Sequence, residues 1–269
     1  MNEAAAKQAG SGTAGGSPVR IALWSGPRNL STALMRSFGS RRDTVVVDEP
    51  FYGHYLSVTG RRHPGAEEVL AHCETDADRV AQSLAAPLPG KRSICYQKQM
   101  AHHLLPGVPR TWLDDARCAF LIREPAAVLT SLAQHLTEIT VMDTGLPQQV
   151  ELFSRQARRL GAPPPVIDST DLLANPEAIL RGLCRALCIP FDPAMLAWEA
   201  GPRSTDGIWG PHWYTEVYQT TGFVPERRSA QRRGPQRRGP QRRLPEHLQS
   251  VLEECLPFHR ELAAHKLLP

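Results

Sequence analysis

The sequence predicts an α/β fold, with a central parallel sheet of about five strands and helices on both faces. Three observations point there. Short apolar runs of strand length recur along the chain. Segments of helical period separate them, and that alternation builds a parallel sheet covered on both sides. The first apolar run breaks off in a Ser-Gly-Pro turn that opens a helix.

The elements follow in order. Val19–Trp24 is the first strand, and Asn29–Phe38 is the helix after its turn. Thr44–Asp48 carries three consecutive valines, and Pro50 stops it. Pro64–Leu84 has helical period with acidic residues near its start, and Ala86-Pro-Leu-Pro-Gly90 ends it. Ser93–Gln97 is the third strand, Arg110–Ala116 a short helical turn and Arg117–Ile122 the fourth strand. A helix runs from Pro125 to about Leu136, and proline suits its first position. Gln148–Leu160 is helical and Pro165–Asp168 is the fifth strand. Asn175–Leu187 is amphipathic, with Leu180, Leu183, Cys184 and Leu187 on one stripe. Pro245–His265 is the last helix.

A chain of 269 residues can bury one good core. One domain is expected over 19–269, preceded by a disordered leader at 1–18 that lacks an apolar signal segment. The net charge of +4 comes from one place. Arg227 to Arg243 holds eight Arg and no acid, so the remainder has 23 basic and 27 acidic residues, or −4. That weakens a general case for nucleic-acid binding. Within this stretch Gln-Arg-Arg-Gly-Pro repeats every five residues, and Gly-Pro forbids a regular helix. A flexible insertion at 227–243 is expected, with a polyanion-binding arm as the alternative. No run reaches the length of a membrane span. The six cysteines form no metal-like Cys-x-x-Cys pair, and a large chain without a signal segment suggests reduced thiols and a cytoplasmic location. No His/Cys/carboxylate cluster suggests a metal. The sequence does not specify an oligomeric state.

In such sheets ligands sit beyond the carboxyl ends of the strands, so the residues there matter most. After the first strand come Ser25, Gly26, Arg28, Asn29, Leu30, Ser31 and Thr32. Glu49 follows the second, Lys98 the third with His102 and His103 behind it, and Arg123 the fourth, with Ser131 eight residues on. A turn that delivers backbone N–H groups and hydroxyls to a helix start is a seat for phosphate, hence a P-loop-like arrangement. It is not a Walker A loop: the second Gly and the Lys are missing. Val45-Val-Val-Asp-Glu49 does look like a magnesium-holding strand, and a nucleoside triphosphate enzyme is the lesser alternative. Arg123 and Ser131 can reach one further phosphate, and guanidinium binds it with forked hydrogen bonds. A nucleotide with a 5′ group at the first loop and a 3′-phosphate at the second fits both sites.

Ser25-Gly-Pro-Arg-Asn-Leu-Ser-Thr32, the Arg123/Ser131 pair in Phe120-Leu-Ile-Arg-Glu-Pro125, and Asp168-Ser-Thr-Asp-Leu-Leu-Ala-Asn-Pro-Glu177 occur in that order. Together they resemble the sulfotransferase family over residues 20 to 225. The resemblance implies a donor, 3′-phosphoadenylyl sulfate, and a hydroxyl or amine acceptor on a small molecule or peptide. It implies that Ser31, Thr32 and the loop amides hold the 5′-phosphosulfate, and that Arg123 and Ser131 hold the 3′-phosphate. Glu49 lies 21 residues beyond Arg28, where branches with an Arg loop have their base. Lys98 lies 25 residues before Arg123, as does the lysine that steadies the sulfuryl group in those branches. Arg28 joins Lys98 in that role. His102 or His103 is the alternative base. A non-catalytic, nucleotide-holding scaffold is the alternative to an enzyme. Gly201–Tyr214 lacks the Arg-Lys-Gly-x-x-Gly pattern of the cytosolic branch, and Trp209 and Trp213 are candidates either to cover the purine or simply to pack. Residues 51–63 and 135–147 are expected to line the acceptor pocket, with Phe51, Tyr52, His54 and Tyr55 available.

Overall fold

The computed structural model describes residues 18–223 and 244–269. The Arg-rich repeat and all but the last residue of the expected leader lie outside the described residues.

Five parallel strands form one sheet: β1 (Val19–Ser25), β2 (Thr44–Asp48), β3 (Ile94–Met100), β4 (Ala116–Ile122) and β5 (Val166–Asp168). Their order is β2-β3-β1-β4-β5. The chain leaves β1 for β2 on one side and later crosses to β4 on the other. The carboxyl end of β1 is therefore the switch point where such sheets take ligands.

Side chains alternate across β1. Ile21 and Leu23 face one helical layer, and Ala22 and Trp24 face the other. The first layer includes α1 (Ser31–Gly39), α2 (Tyr52–Thr59), α3 (Ala66–His72) and α8 (Pro176–Ala186), through Leu34, Tyr55, Val69 and Leu183. The second includes α4 (Ala77–Ala85), α5 (Pro125–Leu132), α6 (Leu146–Leu160) and α10 (Gln249–Ala263), through Leu84, Leu129, Leu152 and Leu262. The short α7 (Ser169–Ala174) and α9 (Gly210–Trp213) complete the set. The three-layer α/β expectation holds.

Several boundaries differ from the sequence reading. The expected helix over 64–84 is two helices. Asp76 Oδ1 accepts the N–H groups of Asp78 at 2.9 Å and Arg79 at 3.1 Å, capping α4 and breaking the run. Strand β3 continues to Met100, so Lys98 lies within it rather than after it. Its last turn of sequence, Gln97-Lys98-Gln99, is polar yet buried, which is why no apolar run marked it. Helix α5 stops at Leu132, short of Leu136. Helix α2 had no sequence signal: it is buried on Tyr52, Gly53, Tyr55 and Leu56, and Gly60 ends it in the left-handed region.

Candidate active site

The β1–α1 loop presents an open, concave backbone at the pocket. Arg28 and Leu30 both take left-handed backbone, at φ 61° and 67°. Alternation of this kind curls successive N–H groups into a concave nest. Helix α1 starts at Ser31 with no side-chain cap, so its first N–H groups stay open toward the pocket. The hydroxyls of Ser31 and Thr32 have no hydrogen-bond partner among the described residues, and both residues line the pocket. Ser25 is buried, its hydroxyl directed at Met100 Sδ, 3.6 Å away. A side chain at Gly26 would place Cβ 2.1 Å from Thr144 O, so only glycine fits. Asn29 is a brace: its amide donates to Leu121 O on β4 at 3.2 Å.

Arg123 and Ser131 stand beside this loop. Arg123 donates to Arg28 O at 2.8 Å. Arg28 Nε donates to Ser131 Oγ on α5 at 2.9 Å, and its other edge lies 4.0 Å from Glu216. Arg28 therefore turns toward Ser131 and not toward Glu49. Burial first, and then the neighbouring Arg123, lower the Arg28 pKa against the opposing charge of Glu216. Adjacent guanidiniums favour an anion between them.

The carboxylate-lysine cluster closes the other side. Lys98 is 1 % exposed. Its Nζ donates to Asp48 Oδ1 at 2.9 Å, to Glu49 Oε1 and to Tyr214 Oη at 2.6 Å. Tyr214 Oη accepts from Trp209 Nε1 at 2.8 Å and donates to Asp48 Oδ2 at 2.8 Å. Asp48 Oδ2 also accepts the Gly207 N–H at 2.9 Å. Both Asp48 oxygens are thus engaged by protein donors, which argues against reading Val45–Glu49 as a magnesium-holding strand. One lysine serves two carboxylates. Burial, aided by Asp48, raises the Glu49 carboxyl above its ordinary range despite Lys98. Burial opposes the charge on Lys98, but the two carboxylates outweigh it and hold its pKa up. Glu49 sits at φ 40°, a strained backbone for a side-chain-bearing residue. Its Oε2 faces His103 Nδ1 at 3.9 Å.

Tyr52, Tyr55, His63, His102 and His103 form the remaining wall, together with Trp213. Tyr52 stacks on His103 with ring centroids 4.7 Å apart. Burial pushes His102 down to about 3 and lowers His103 well below the usual histidine range, so both rings are neutral near pH 7. Phe51 packs on Trp112 in the core, and His54 bonds to Thr75 O. Of the four named acceptor candidates, Tyr52 and Tyr55 line the pocket, and His63, Leu136 and Asp143 from the expected stretches 51–63 and 135–147 line it too.

Of the two tryptophans read as purine cover or packing, Trp209 is buried against Tyr214 and Trp213 lines the pocket; sequence reasoning missed Tyr214 and the partnership of Asp48 with Lys98. The Asp48-Glu49 dipeptide was a visible signal, whereas nothing in the spacing marked Tyr214. Among the described residues, no group of three or more His, Cys, Asp or Glu could hold a metal ion. No helix there is long and apolar enough to cross a membrane.

A parallel sheet with an anion nest at its switch point defines an α/β protein of P-loop-like architecture. The chain belongs to the sulfotransferase family: the family model described as a sulfotransferase domain matches residues 19–263. The sulfotransferase domain of the Synechococcus PCC 7002 olefin synthase shares the fold, with a TM-score of 0.54, 18% identity, and coverage of 96% of this chain and 98% of that one. Two Arabidopsis thaliana proteins are similar in sequence. Branched-chain-amino-acid aminotransferase-like protein 2 is 36% identical over 245 residues, 91% of this chain and 41% of its own length. Branched-chain-amino-acid aminotransferase-like protein 1 is 38% identical over 211 residues, 78% of this chain and 38% of its own length. The chain thus spans about two fifths of these curated relatives.

Proposed function

We propose that this chain is a sulfotransferase that moves a sulfuryl group from 3′-phosphoadenylyl sulfate to a hydroxyl or amine on a small molecule or peptide. The observation that carries the reading is convergence: the β1–α1 nest, Arg123 and the Lys98–Glu49 pair line one pocket, and Arg28 joins that pocket to Ser131. The donor's two anionic ends match the chemistry of these groups. Ser31, Thr32 and the loop amides would hold the 5′-phosphosulfate, with Ser25, Gly26, Asn29 and Leu30 shaping the loop. Arg123 and Ser131 would hold the 3′-phosphate. When bound, the nucleotide supplies an activated sulfuryl group.

Glu49 takes the acceptor's proton. Its raised pKa makes it a stronger base than an ordinary carboxylate, and a base in this position contributes roughly 10²–10⁴ in rate. Lys98 aims Glu49 and supplies positive charge for the transferred oxygens; such a donor is worth about 10²–10³, whereas Arg28, expected to join it, turns toward Ser131. The lowered pKa values of His102 and His103 make them weaker candidates for the base. The tyrosine and histidine wall suits an acceptor with an aromatic or apolar body.

A non-catalytic scaffold is the second reading. It is favoured by Lys98, whose three donor directions are already taken by protein acceptors.

Calorimetry with adenosine 3′,5′-bisphosphate and label transfer to phenols, sugars, amines and peptides test the proposal. Glu49→Gln is expected to lower transfer about 10²–10⁴-fold with nucleotide affinity intact, and Arg123→Ala to weaken nucleotide binding. Activity retained in Glu49→Gln would move the base to His102 or His103. Binding without transfer to any acceptor supports the scaffold. Affinity unchanged in Arg123→Ala, or a preference for ATP, overturns the nucleotide assignment.

A further inference from the structure

A second cleft lies at the amino ends of β2 and β3, whereas the transfer pocket lies at their carboxyl ends. Arg36, Arg41, Arg42, Arg92 and Arg203 line it, along with one acid, Glu199. Two of the arginines have carboxylate partners. Arg36 pairs with Asp206 at 2.6 Å and Arg41 with Asp43 at 2.8 Å. Arg42, Arg92 and Arg203 have no ion-pair partner among the described residues. Arg92 instead donates to the Arg42 carbonyl, which ties the two segments together.

One of the paired arginines is incompletely satisfied. Arg36 is 2 % exposed, and its Nη1 is buried without a hydrogen-bond partner. A sealed guanidinium nitrogen with no acceptor is unfavourable, and Asp206 Oδ1 of the same ion pair is likewise buried without a partner among the described residues. Burial and the like charge of Arg36 lower the Arg203 pKa, against the nearby carboxylates Glu199 and Asp206, neither of which forms an ion pair with it. The hydroxyls of Ser204 and Thr205 border the same space. This concentration of cations contrasts with a chain that is net acidic outside its Arg repeat.

We propose that this cleft binds a small polyanion carrying two or more phosphate groups, at a site separate from the transfer pocket. Guanidinium suits such a ligand because it makes forked bonds to phosphate oxygens. More than one phosphate is inferred because three segments of chain each contribute an arginine without a carboxylate: the α1–β2 turn, the approach to β3, and the loop after Trp198. A bridging ligand engages all three, and a single anion does not balance them. The inference stands whether or not the transfer reading does.

Inorganic pyrophosphate titrated calorimetrically into the full chain is the probe. Saturable binding that weakens as salt rises is expected. Arg42→Ala and Arg92→Ala should each reduce affinity about 3- to 10-fold. Both side chains are exposed, so folding should persist, and circular dichroism checks this. Arg123→Ala, at the transfer pocket, should leave this binding in place. Absent binding overturns the proposal, as does binding indifferent to Arg42, Arg92 and Arg203. Loss in Arg123→Ala alone would place the anion in the β1–α1 loop and also sink it.

Discussion

At the scale of single residues, the site depends on groups kept away from their ordinary state. Glu49 holds a strained φ and a raised pKa, which fits a carboxylate aimed at a task and not at stability. The buried histidines give a sharper consequence. His102 titrates near 3 in the folded protein and about 6.5 when unfolded. As pH falls, the unfolded state takes up the proton first, so stability is fully present above about 6.5 and declines toward about 3. His103, lowered for the same reason, adds to the trend. Urea midpoints measured across this window should fall with pH, and His102→Asn should flatten the slope. An unchanged slope would mean the ring is open to water. From sequence, Glu49 and Arg123 were legible as candidates from position after strands, whereas Lys98 proved to lie inside β3 and Ser131 on α5. The protonation of Glu49 and Lys98 was not legible, because it depends on their burial together with Asp48 and Tyr214.

At the scale of elements, two segments carry the site. The first is the β1–α1 loop, legible as a turn because Ser-Gly-Pro is a local feature, although the helix begins at Ser31 and not at Asn29 and the left-handed Arg28 and Leu30 left no mark. Gly26 is its tightest point. Gly26→Ala would drive a methyl group against Thr144 O, so the loop must move and the nest must open. Nucleotide affinity should drop at least tenfold, about the effect of losing one charge-assisted hydrogen bond, while circular dichroism remains that of a folded protein. Wild-type affinity in this variant would show that the loop amides do not hold the phosphate. The second segment, 201–214, was unreadable. It acts as a strap: Asp206 holds Arg36, the Gly207 N–H holds Asp48, and Trp209 and Tyr214 reach the lysine cluster. Its residues serve partners on other elements, so they show neither helical nor strand period. The break between α3 and α4 is an intermediate case. Asp76 was a capping signal, but the apolar period on both sides masked it.

At the scale of the molecule, the sheet order fixes where chemistry can occur. Both faces of β1 are covered, so its apolar residues are buried on either side and its end is left to the loop. Leu183 on α8 is fully buried in the layer that packs on Ile21 and Leu23. Leu183→Ala should cost about 2–5 kcal/mol of stability, read from urea unfolding. Nucleotide affinity of the folded protein should be unchanged, because α8 packs away from the pocket. A combined loss of affinity would mean that the core and the site are coupled more tightly than the packing indicates. The sequence by itself determined the α/β class, the strands and the strand-turn-helix at the end of β1, because periodicity and turn chemistry are properties of neighbouring residues. Only the tertiary structure decided that Lys98 is sealed between Asp48 and Glu49, that Arg28 turns to Ser131, and that Tyr214 closes the cluster. Asp48 and Tyr214 are 166 residues apart, and no local pattern records a hydrogen bond that forms only when the folded sheet and the strap bring such groups together.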